Sequence, residues 1–191
     1  MVPLVVGAVL ENASLHHCSI ILVTDGLPSY TTLYQAEWVT VPAGVGVMVV
    51  TSPAQDDLTS LTKALSHARE LRVLARCVVV VVASDDPAFL VAFAQSSDRG
   101  RLLVWSTRLL VVTRAPLHEV MRLLRQYWTF SMMNTMFLTP GVPASGHRWD
   151  TYTHLPYSQL GPQVVHVATW TPARGLVLLS QHHLFPQKFK K

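Results

Sequence analysis

The stretch CVVVVVASDDPAFLVAFA (77–94) decides the fold. Five consecutive valines leave no polar face. A run of this kind is buried on both sides, as strands of parallel sheets are. It has the length of a strand and falls far short of a membrane-crossing helix. Ser84-Asp85-Asp86-Pro87 follows at once and supplies what a helix start needs, a side-chain cap and a proline at the first helical position. Phe89, Leu90 and Phe93 then recur at helical spacing. A doubly buried strand running into a capped helix is half of a β-α-β unit.

The same grammar extends outward. SIILVTD (19–25) is a second β-branched strand ending in the turn pair Asp25-Gly26, and a segment with Tyr30, Leu33, Tyr34 and Trp38 at helical spacing follows it. GVGVMVVT (44–51) reads as a strand. Residues 56–71 read as a helix with Leu58, Leu61, Leu65 and Ala68 on one face and Lys63, His67 and Glu70 off it. RLLVW (101–105) and LLVVT (109–113) predict two strands or one bent strand, and Pro116 to about Trp128 predicts an amphipathic helix. After residue 130, MMNTMFL, WDTYTH, VVHVATW and LVLL are short strand-like pieces between prolines and glycines, as in antiparallel edge strands. The expected fold is α/β: a mainly parallel sheet with helices on both faces, like a flavodoxin or one lobe of a periplasmic binding protein, with short C-terminal strands at the edge. Residues 16–180 form the single domain, 1–15 a lead-in, first strand or weak signal-like segment, and 181–191 a linker.

The composition agrees with a thick core. Of 191 residues, half are apolar and only 14% charged. The net charge of +4 comes mostly from Lys188, Lys190 and Lys191, so the body is nearly neutral and no basic face marks a nucleic-acid binder. No stretch is long and apolar enough to span a membrane.

Several constellations carry a chemical reading beside a structural one. In a sheet of order 2-1-3-4-5, Asp25, Asp85 and Asp86 would lie at one carboxyl edge, where clustered carboxylates hold magnesium in receiver-like domains. A turn and a helix cap explain the same residues. Cys18 and Cys77 start the two neighbouring strands. They predict either a disulfide, with Cα atoms about 4.4–6.8 Å apart, or two buried free thiols. The nine histidines lack metal-ligand spacing: His118-Glu119 has Arg122 where a zinc helix needs its second histidine. His16-His17 and His182-His183 are adjacent pairs, and His166 reads as a satisfied strand residue. GVGVMV precedes a strand, so it is no dinucleotide loop, and no nucleophile stands in an elbow. No catalytic residue, cofactor or catalytic metal is expected. Asn12-Ala13-Ser14 fits the N-glycosylation acceptor pattern.

Taken in order, residues 77–94, GRLLVWSTRLLVVTR (100–114), SMMNTMFL (131–138), YTHLPYSQLGPQVVHVATWTPARGL (152–176) and LFPQKFKK (184–191) resemble the extracellular amino-terminal region of the divergent ionotropic glutamate receptors of arthropods, the chemosensory ionotropic receptors. In that family the Leu-Phe-Pro-x-Lys-Phe segment lies just before the clamshell ligand-binding domain. The resemblance implies a domain joint at the end of this sequence, with residues 181–191 as linker toward a ligand-binding domain that does not follow here. It implies an outer domain at the plasma membrane, in contact with other receptor subunits. Neither agonist binding nor ion conduction carries over to any residue here. The alternative expectation is a soluble receiver-like domain holding magnesium.

Overall fold

A computed structural model describes residues 1–15, 17–27, 30, 46–51, 58–141, 147–179 and 183–185. The expectations for Leu33, Tyr34, Trp38, Gly44, His16, His182 and the three C-terminal lysines fall outside these residues. In chain order the elements are α1 (Val2–Asn12), β1 (Ser19–Thr24), β2 (Val47–Thr51), α2 (Leu58–Leu74), β3 (Val78–Ala83), α3 (Pro87–Arg99), β4 (Arg108–Val112), α4 (Leu117–Gln126), α5 (Trp128–Met132), β5 (Asn134–Pro140), β6 (Trp149–Leu155), β7 (Gln163–Thr171) and β8 (Gly175–Leu178).

The valine run takes the central place its sequence demands. β3 lies between β1 and β4, and β1 and β3 are buried at every position. The single eight-stranded sheet has the order β2-β1-β3-β4-β5-β6-β7-β8. Its first five strands are parallel, joined in register from Ile20↔Val47 to Val112↔Leu138. β5 to β8 pair antiparallel.

Strand alternation divides the core in two. On one face Ile21, Val23, Val80, Val82, Val111 and Phe137 meet α2, α3, α4 and α5 through Leu65, Phe93, Leu124 and Phe130. On the other, Ile20, Leu22, Val79, Val81, Leu110 and Met136 meet α1. Of Ser84, Asp85 and Asp86, which the sequence offers as caps before Pro87, Asp86 starts α3: its carboxylate accepts from Ala88 N at 2.8 Å, with Pro87 at the first helical position.

Three segments differ from the expectation, each for a physical reason. Residues 2–12 form a helix, where a lead-in or first strand was predicted. Val5, Val6, Val9 and Leu10 lie on one helical face and fill the second core. A continuous apolar run does not itself distinguish helix from strand. Residues 101–105 are no strand. Arg101 takes a left-handed φ of 49°, Leu102 N donates to Ser97 O at 3.0 Å, and the buried Leu102 closes the end of α3 like the hydrophobic residue of a Schellman motif. The helix expected from Pro116 to Trp128 breaks at Tyr127, whose backbone is extended. The break turns Phe130 inward, edge-on to Phe137 with ring centroids 5.1 Å apart.

The segment read as linker also begins inside the fold. Leu184 packs against the α1-side core and Phe185 is buried in it, and the Phe185 backbone N–H points at the Met136 sulfur, 3.3 Å away.

Phe93 is fully buried, whereas Leu74 is 84% exposed. In urea unfolding, Phe93→Ala is expected to cost about 3–5 kcal/mol, and Leu74→Ala to stay within about 0.5 kcal/mol of the unsubstituted protein.

Candidate functional site

The carboxyl edge of the parallel strands is where ligands meet open α/β sheets. Asp25 follows β1, Ser84-Asp85-Asp86 follows β3, and Thr113-Arg114 follows β4. Because β1, β3 and β4 are adjacent and in register, residues 59 and 29 positions from each other in sequence arrive side by side.

They do not converge on a common point. Asp25 is buried and accepts from the Ser84 hydroxyl at 2.5 Å and from Leu27 N at 3.0 Å, which fixes the turn after β1. Asp86 faces the other way as the cap of α3. Asp85 occupies the crevice. It accepts from Arg114 N at 2.7 Å, Arg114 Nε at 2.9 Å and an Arg114 terminal nitrogen at 2.5 Å, and from the Tyr30 hydroxyl. The Arg114 guanidinium also stands 5.7 Å from the Tyr30 ring centroid. Among the described residues, the one group of three His, Cys, Asp or Glu side chains close enough to share an ion is His17, Cys18 and Cys77, not these carboxylates.

The electrostatics follow from that contact set. Burial alone would raise the Asp85 carboxyl, but hydrogen bonds from the Arg114 side chain, Tyr30 and the Arg114 backbone outweigh it and hold it below the usual range. Burial, then the hydrogen bond to Asp85, pushes the Tyr30 phenol far above its ordinary value, so it stays neutral. Tyrosine, carboxylate and guanidinium here form one hydrogen-bonded knot. Such a knot orders the edge of the sheet, with Asp85 ionised and Tyr30 neutral near neutral pH.

A second buried carboxylate escaped the sequence reading. Asp150 on β6 accepts from Arg148 Nε at 2.9 Å and the Thr169 hydroxyl at 2.8 Å, and lies 3.2 Å from His166 Nε2. Strict alternation would put His166 and Thr169 on opposite faces of β7. The register shifts between Thr151↔Ala168 and Tyr152↔His166, leaving Val167 as an extra residue. The bulge brings both side chains to Asp150, and the Tyr152 ring stacks on His166 at 4.8 Å. His166 is thus a satisfied strand residue. Gly141 is needed beside the cluster, since a Cβ there would lie 2.7–2.8 Å from Arg148 and Asp150 side-chain atoms.

At the opposite edge, Cys18 and Cys77 are joined in a disulfide, Cα atoms 4.7 Å apart. With their sulfurs bonded to one another, they offer no thiolates beside His17. Glu119 is paired with Arg122 at 2.7 Å, with His118 at 3.8 Å. Asn12 is exposed at the end of α1, its amide donating to Ala8 O at 3.1 Å. No known protein family matches this sequence, and no curated protein is significantly similar to it.

The knot gives stability a pH signature at each end. Asp85 has a lowered folded pKa, so its contribution is complete above the unfolded value of about 3.9 and drains away as pH falls below it. Asp85→Asn is expected to cost about 1–2 kcal/mol at pH 7, the Arg114 partner being half exposed, and to flatten the acid limb of a stability–pH profile. Tyr30 has a raised folded pKa, so its contribution holds up to the unfolded value of about 10 and is lost above it; Tyr30→Phe is expected to remove that alkaline limb in the same titration.

Proposed function

We propose that this chain is a non-catalytic extracellular recognition domain, the amino-terminal domain of a chemosensory ionotropic-receptor type of channel subunit. It would act in subunit assembly or partner contact on the outer side of the plasma membrane. The observation that carries the reading is the Cys18–Cys77 bond. Disulfides of this structural kind belong to oxidising compartments and are rare in the cytosol. Exposed Asn12 in an acceptor triplet fits the same compartment.

Two further features support it. At the carboxyl edge, where an enzyme of this architecture would bind substrate, Asp85, Arg114 and Tyr30 are hydrogen-bonded to one another. The surface also holds large apolar side chains. Trp105 and Trp128 stand edge to face at 6.0 Å with about half of each exposed, and Val73 and Leu74 project from the end of α2. Exposed aromatic pairs are the kind of anchor that partner surfaces bury. Among the described residues no helix is long and apolar enough to cross a membrane. The engagement of Asp85 by Arg114 weighs against the receiver-like magnesium alternative.

The test is expression in insect cells behind a secretion leader. The expected product is secreted and oxidised, carries glycan at Asn12 that Asn12→Gln removes, and co-purifies with the amino-terminal domain of a co-expressed receptor subunit. Trp105→Ala with Trp128→Ala should abolish co-purification and leave the circular dichroism spectrum unchanged. A reduced, unglycosylated product that associates with no such domain would overturn the reading, and calorimetric magnesium binding would favour the alternative.

A further inference from the structure

The amino-terminal edge of the sheet holds a cavity of about 90 Å³ that the proposed function does not use. Arg72 from the last turn of α2, Arg76 from the connection into β3, and Arg108 at the start of β4 all line it. Cys77, Ser106 and Thr107 complete the wall. The sequence hides this grouping, because 32 positions separate Arg76 from Arg108; parallel pairing of β3 with β4 brings them to one edge.

Three arginines lining one small cavity repel each other unless negative charge lies among them. Among the described residues no carboxylate forms an ion pair with them: the acidic partners are Asp85, Glu119 and Asp150, all elsewhere. Nor do backbone acceptors use up the donors. One Arg72 terminal nitrogen reaches Arg101 O only at 3.5 Å, and one Arg108 terminal nitrogen donates to Ser106 O at 2.8 Å. Arg72 Nε is buried with no hydrogen-bond partner. A buried charged donor left unpaired is costly, and a guanidinium presents five donors in a fixed fork. The bland account of Arg72, a cation at a helix C-terminus, explains its charge but not the orphaned donor or the two neighbouring arginines.

We propose that this cavity is a binding site for a tetrahedral oxyanion of the sulfate or phosphate class. Arginine forks match such groups through paired N–H···O contacts, and Ser106 and Thr107 line the same wall. The cavity has room for a single such group; a liquid water takes about 30 Å³ by comparison. The Cys18–Cys77 bond anchors the wall next to Arg76, so it helps to fix the arginine fork before the anion arrives.

Thermal unfolding and calorimetry on the purified oxidised chain test this, with sodium sulfate, inorganic phosphate and glycerol phosphate, each against sodium chloride at equal ionic strength. The expected result is saturable binding with a rise in Tm beyond the chloride control. Arg76→Gln with Arg108→Gln should weaken binding at least tenfold, while Arg125→Gln, on the exposed side of α4, should leave it unchanged. Arg72→Lys keeps the charge but loses the fork and should weaken binding as well. Tighter binding of the monoester would assign the site to an esterified group on a larger molecule, and tighter binding of the inorganic ions to a free anion; both support the proposal. It is overturned if the anions do no more than chloride, if acetate binds equally well, or if the Arg76/Arg108 double variant binds like the parent.

Discussion

The molecule depends on the pairing of two strands that have no polar side. β1 and β3 run in parallel from Ser19↔Val78 to Thr24↔Ala83, and every residue of both is buried. Strands of this kind are stable only if both faces are covered, which obliges the chain to place α2 to α5 over one face and α1 over the other. The edges then inherit their chemistry from that pairing. Whatever follows β1 and β3 meets at the carboxyl edge, and whatever precedes them meets at the amino edge.

The two edges are put to opposite uses. At the carboxyl edge, opposite charges are brought together and neutralise each other: Asp85 accepts from the Arg114 backbone, Nε and a terminal nitrogen and from Tyr30, and Asp25 accepts from Ser84. At the amino edge, three arginines line one cavity beside a covalent link, and none of them forms an ion pair among the described residues. On the anion-site proposal, the sheet's capacity for outside contacts would lie at the end away from the position its architecture suggests.

The fold class was legible because its signal is local. Continuous valines, a capped helix start and the change to proline- and glycine-punctuated strands each lie within a few residues. A cap before Pro87 could be read for the same reason. What could not be read depended on distant or irregular geometry. The bond of Asp85 to Arg114 spans 29 residues, and its partner is an arginine in a loop with no motif around it. The Asp150 cluster required a bulge at Val167, which breaks the alternation that any sequence reading assumes. The arginines of the amino edge were lost in an average charge, since composition reports how many cations exist and not where they gather. The first helix was missed because its apolar residues leave no polar gap to set the period.

The Cys18–Cys77 bond has a topological consequence. It closes 59 positions of chain into a covalent ring that carries β1, β2 and α2, and through it the two outermost parallel strands are tied to the centre of the sheet. A single backbone cut anywhere inside that ring leaves one molecule, with both new ends still tethered to β3. A cut outside it releases a piece. Covalent continuity after a protease nick is therefore built into residues 18–77 and is not provided by this bond elsewhere.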